Sequence, residues 1–163
     1  VGTADLTING ATGSSLSAQG HVTISNTNLT YSGTMIVNGQ LRFTGSLPNG
    51  TIRVANGAKI AFSELITTPT TTASVRNLTL DAGSRFVVSS DGTSVGSVTV
   101  TNTLTATTPL LVDINTQLPV GTYTIIAYTG TPPTATLTTG TNVSGRTVTY
   151  AWVNGTGLRM TVA

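Results

Sequence analysis

The side chains that could do chemistry are few and widely spaced. His21 is the sole histidine, and cysteine is absent. Five carboxylates are spread along the chain, at Asp5, Glu64, Asp81, Asp91 and Asp113. A serine nucleophile needs a histidine base and an acid beside it, and nothing in the sequence marks such partners for His21. No group of residues has metal-ligand spacing, so the sequence predicts no catalytic, cofactor-binding or metal-binding residues.

Paired carboxylates would suit the cleavage of a polysaccharide, because a glycosidase needs two carboxyl groups about 5 to 9.5 Å apart. The sequence offers simpler structural roles for three of them. Asp81 and Asp91 stand in turns that contain glycine, where an aspartate side chain caps the backbone. Asp113 alternates outward between the apolar Val112 and Ile114. The chain is therefore predicted not to be an enzyme.

Three phenylalanines, Phe43, Phe62 and Phe86, follow successive glycine turns at corresponding places. An exposed row of rings could stack on a sugar or a nucleobase. Equivalent positions in a repeat structure lie above one another, however, so that apolar residues form an internal column. The internal column is the favoured interpretation.

Charge is scarce, whereas small hydroxyls are abundant. Only 12 of 163 residues are charged, and 36 Thr and 14 Ser together make 50 hydroxyl side chains. A hydrophobic content of 38% with a net charge of +2 argues against a disordered chain. The seven cations are scattered singly, whereas nucleic-acid binding needs clusters of them. We therefore expect no nucleic-acid partner.

Membrane insertion is not expected either. Apolar runs such as residues 125–127 are far too short to span a bilayer. Residues 1–5 lack the basic start and the apolar stretch of a signal peptide. The expectation is a chain from which a signal has been removed or one that was never exported.

Short β-branched segments with an alternating apolar pattern recur from end to end, and this pattern predicts an all-β fold. They cover residues 5–8, 21–24, 34–37, 40–43, 51–54, 59–62, 74–75, 78–80, 85–88, 97–100, 110–114, 122–126, 147–150 and 158–162. The glycines between them, Gly10, Gly39, Gly57 and Gly83, are 29, 18 and 26 residues apart. This loose period indicates a short parallel β-helix, or solenoid, in which glycine permits the change of direction. A β-sandwich or jelly roll of antiparallel strands is the alternative.

The last third of the sequence differs in character. Three of the four tyrosines and the single tryptophan follow residue 108, and residues 148–162 read as two strands joined by an Asn-Gly turn. A solenoid must cover its final coil or expose a sheet edge. Residues 1–108 are therefore predicted to form solenoid repeats and residues 109–163 a β-rich C-terminal cap, within one continuous unit.

The segment 119–126 reads Pro-Val-Gly-Thr-Tyr-Thr-Ile-Ile and is followed by a Tyr-x-Gly turn and a final strand pair. This ending resembles the end of β-helical passenger regions of autotransporter-type proteins, and the upstream strand, Asn-Gly, strand units resemble their repeats. As a short free-standing chain, the sequence is similar to the decoration, or cement, proteins of tailed bacteriophages.

The second resemblance implies a structural virion protein without enzymatic activity or cofactor. It would be a homotrimer that binds the major capsid protein and stabilises the capsid exterior. The first resemblance implies an alternative, an adhesin or passenger fragment at the bacterial cell surface. A phage fibre or tailspike domain that binds host polysaccharide is a further alternative.

Overall fold

The protein is built from β-strands. A computed structural model describes residues 3–10, 21–26, 29–62 and 73–163, and these residues contain thirteen strands and no helix. The strands are β1 (Leu6–Ile8), β2 (Val22–Asn26), β3 (Thr34–Val37), β4 (Gln40–Val54), β5 (Lys59–Ala61), β6 (Ala73–Leu80), β7 (Arg85–Val88), β8 (Val98–Ala106), β9 (Leu110–Ile114), β10 (Gly121–Ala127), β11 (Leu137–Asn142), β12 (Val148–Val153) and β13 (Gly157–Val162). The predicted all-β class is confirmed.

Most strands pair in parallel and form two sheets. Sheet A contains β1, β3, the second part of β4, β6 and β8, whereas sheet B contains β2, the first part of β4, β5, β7, β9 and β11. The chain alternates between the sheets and returns one coil further on, so the fold is a β-solenoid of about four turns. Sandwiches and jelly rolls pair their strands antiparallel. The parallel ladders therefore confirm the solenoid over that alternative.

Equivalent apolar residues lie above one another inside the solenoid. In sheet A one column contains Leu6, Met35, Ile52, Leu78 and Leu104. In sheet B a second column contains Val22, Leu41, Ile60, Phe86 and Val112. Because alternate residues of a strand point to opposite faces, both sheets place these columns in one shared core.

The repeated glycines have two different structural roles. Gly57 and Gly83 have φ of +75° and +76°, and stack at the same corner, where the Gly57 N–H donates to the Gly83 carbonyl at 3.1 Å. Gly39 does not have a positive φ. A Cβ at Gly39 would instead collide with the backbone of Gly10. The expectation of a conformational turn glycine is therefore wrong at Gly39, which is required by close packing of two coils.

The C-terminal region closes one end of the solenoid. Strands β10, β13 and β12 pair antiparallel, and β10 also joins β8 in parallel through Ile126 and Ala127. The indole N–H of Trp152 donates to the Ala135 carbonyl at 2.9 Å, and the Tyr150 hydroxyl accepts a bond from Thr139 across the end of the core. Parallel pairing in sheet B continues beyond residue 108 through β9 and β11.

Candidate functional site

The described carboxylates lie apart, and each has a local partner. Asp5 accepts a bond from the Thr34 backbone N–H at 3.1 Å. Asp81 forms an ion pair with Arg53 at 2.9 Å on the outside of sheet A. Asp91 accepts bonds from two backbone N–H groups of its own loop, which lower the pKa of its carboxyl. Glu64 lies outside the described residues.

Asp113 has the most elaborate surroundings. Its side chain points outward from sheet B, as the alternation predicts, but is only 2% exposed. One carboxylate oxygen accepts bonds from Arg85 and from the Thr141 backbone N–H, and the other lies 3.7 Å from the Lys59 Nζ. A Cβ at Gly140 would collide with this carboxylate. The irregularity in β11 at Gly140 therefore lets the edge strand close over Asp113.

His21 and the phenylalanines do not form a reactive site. Partial burial, followed by the positive charge of Arg42, lowers the pKa of His21, which stands just before β2. Phe43, Phe62 and Phe86 are at most 2% exposed, with successive ring centroids 6.2 and 5.7 Å apart. The internal aromatic column is confirmed, and stacking of these rings on a ligand is not possible in this structure.

One motif was missed in the sequence. Residues 92–96 read Gly-Thr-Ser-Val-Gly, the letter pattern of a nucleophile elbow. An elbow holds its serine on a sharp turn between a strand and a helix. Here the motif lies in the loop between β7 and β8, which is closed by Asp91 and by an isolated bridge from Ser90 to Val95. The pattern is therefore part of a capped loop that connects two strands.

The outer faces of the two sheets differ in accessibility. The outward residues of sheet B form a covered face whose members are at most 8% exposed: Gln40, Arg42, Lys59, Ala61, Val87 and Asp113. The outward residues of sheet A form a hydroxyl face that is partly or fully exposed: Thr34, Thr51, Asn77, Thr79, Thr103 and Thr105. Sheet A is consequently the sheet that offers an outer surface to a partner.

The hydroxyl face is ordered by contacts between coils. The Asn77 amide donates to the Thr51 hydroxyl at 3.1 Å, and the Asn102 amide donates to the Asn77 side-chain oxygen at 2.8 Å. Thr103 stacks on Asn77, and Thr105 stacks on Thr79, in the parallel ladder of β6 and β8. Uncharged groups can stack at about 4.8 Å without the repulsion that like charges would meet. The face is therefore flat, polar and fixed in register.

No family model, curated protein or solved structure gives a significant match to this chain. Over the ranges that the structure describes, no group of three or more potential ligands could hold a metal ion. The same ranges contain no helix of sufficient length and apolarity to cross a membrane.

Proposed function

We propose that this chain is a structural protein that works by assembly. Three copies associate side by side through the hydroxyl face, and the trimer decorates the exterior of a bacteriophage capsid by contact with the major capsid protein. The resemblance to short phage decoration proteins supports the particle, and the rarity of charge supports assembly, because interface cores are depleted of charged residues.

The difference between the two sheets is the observation that carries this proposal. The covered face of sheet B already lies within the molecule, whereas the hydroxyl face of sheet A is accessible along the stacked coils. An accessible face with a fixed register presents the same pattern of groups to every copy. Such a surface suits repeated, identical contacts between subunits.

Threonine is well suited to being covered by a partner. Burial of a hydroxyl with a hydrogen bond costs far less than burial of an ion. The β-branched side chain has few rotamers to lose, whereas a lysine loses up to about 2 kcal/mol of side-chain entropy. A face of Thr and Asn can therefore become an interface at small cost.

Light scattering after size-exclusion chromatography tests the side-by-side contact. The wild-type assembly should contain a multiple of three chains, and Thr103→Lys should lower its mass threefold, because Thr103 is exposed within the hydroxyl face. Thr131→Lys is the matched control, since Thr131 is equally exposed in the segment between β10 and β11. A monodisperse monomer at micromolar concentration, or equal loss in both variants, would refute the trimer.

The capsid is tested by electron microscopy of the particle with which the chain co-purifies. Labelled antibody against the chain should decorate the outside of phage heads. Labelling of the bacterial envelope without heads would instead favour the surface adhesin. Release of new reducing ends from host polysaccharide would contradict a purely structural role.

A further inference from the structure

The N-terminal end of the solenoid is open in both sheets. Within the described ranges, β1 pairs only with β3, and β2 pairs only with β4, so each is an edge strand. Leu6 at the start of β1 is 44% exposed and Val22 at the start of β2 is 39% exposed. Their neighbours in the same columns, Met35 and Leu41, are 3% and 0% exposed. The apolar columns of the core thus reach the surface at this end.

The opposite end does not offer such a surface. The antiparallel hairpin of β12 and β13 covers it, with Leu158, Met160 and Val162 at most 1% exposed. The segment that passes from β10 to β11 beside this end contains Pro132 and Pro133, which have no N–H to donate to a strand. A second solenoid therefore cannot add its coils there, and stacking of copies head to tail is blocked.

We infer that the open end binds the open end of a second copy of this chain. The occupant must continue uncharged apolar columns in two sheets at once, and the same end of another copy has that chemistry at the same spacing. Because the other end is capped, the contact cannot propagate into a filament. A two-fold axis closes the assembly at two solenoids. This contact goes beyond the proposed function, since it does not use the hydroxyl face.

The backbone of β1 is oriented for this contact. The Ile8 carbonyl accepts a bond from the Asn38 N–H, so Ile8 faces β3. Neighbouring residues of a strand direct their N–H and C=O groups to opposite sides, so those of Thr7 face the open end. A two-fold axis across the end reverses the strand direction, and β1 then pairs with its copy as an antiparallel edge. Leu6 of each copy becomes covered in the process.

The experiment compares molar masses by light scattering at equal concentration. Leu6→Asp combined with Val22→Asp should halve the mass of the wild-type assembly, because a carboxylate at each edge would be buried without a partner. Thr7→Pro should also halve it, because it removes an N–H that faces the open end and leaves the bond of Ile8 in place. The matched control is Val120→Asp combined with Val143→Asp, at the other two large exposed apolar residues, which are 63% and 50% exposed.

The halving is independent of the proposed trimer. If both contacts exist, the wild type contains six chains and the open-end variants contain three. If the trimer fails and this contact holds, the numbers are two and one. Circular dichroism and thermal unfolding should match the wild type, because the substituted side chains are exposed. An unchanged mass in a folded open-end variant, or equal halving in the control, would overturn the inference.

Discussion

Asp113 has the most deeply buried charged side chain among the described residues. Strand alternation predicts that it points away from the core, and the structure agrees. Its burial is a different matter, because it depends on β11 stacking beside β9 and on the bulge at Gly140. Alternation reports the direction of a side chain and carries no information on the strand that later covers it. The ion cluster could therefore not be predicted from the sequence.

Replacing Asp113 tests what the cluster contributes to stability. Asp113→Asn preserves an acceptor for the Thr141 N–H but removes the carboxylate that faces Arg85 and Lys59. Breaking a buried ion pair on one side costs about 3–5 kcal/mol, because a buried charge is left uncompensated. We expect a loss of this size in the free energy of unfolding, measured with denaturant.

Asp81→Asn is the matched control. The Arg53 side chain of its ion pair is 53% exposed, so water already screens the interaction. Exposed pairs contribute about 0–1 kcal/mol. Equal losses in the two variants would show that the covering of Asp113 does not strengthen its interactions.

At the scale of elements, the sequence predicts the strands and the internal column well. Alternating β-branched segments locate them because each sheet has one apolar face. The segments at 40–43 and 51–54 are predicted as two strands, whereas the structure has a single strand, β4, of 15 residues that passes from sheet B to sheet A. Gly45, Pro48, Asn49 and Gly50 read as turn residues. Pairing with neighbouring coils on both sides keeps this stretch extended in spite of its composition.

The aromatic column provides a test at this scale. Phe62 lies between Phe43 and Phe86 and contacts both rings. Phe62→Ala should lower the free energy of unfolding by about 3–5 kcal/mol, because it leaves a cavity in the core. Phe62→Leu fills most of that volume and should cost much less. A small loss for the alanine variant would contradict a tightly packed column.

The molecule as a whole is organised along one direction. The Cα ladders join each coil only to the coils next to it, and the core is continuous from Ile8 to Val162. Stability in such a structure is the sum of the coils and their interfaces. The two ends are unequal, since one has the antiparallel cap and the other has two edge strands.

This inequality predicts a gradient of amide exchange. Deuterium should enter β1 and β3 first, because local opening needs the least free energy where a strand has one neighbour. The amides of β6, which lies between β4 and β8, should exchange last. Mass spectrometry of peptic fragments measures this order. Fastest exchange in β12 or β13 would show that the cap is the weaker end. The substitutions at Leu6 and Val22 provide the control, since loss of an end contact should accelerate exchange in β1 alone.

The coil repeat also determines how the molecule responds to force. Ile52, Leu78 and Leu104 lie above one another at intervals of 26 residues. A pull on the N-terminus, directed along the solenoid axis, loads the bonds of one coil at a time, so the coils detach in succession like a peeled ribbon. Each event releases roughly 90 Å of chain, from about 3.4 Å for each extended residue. The antiparallel cap, anchored by Trp152, should be the last part to yield.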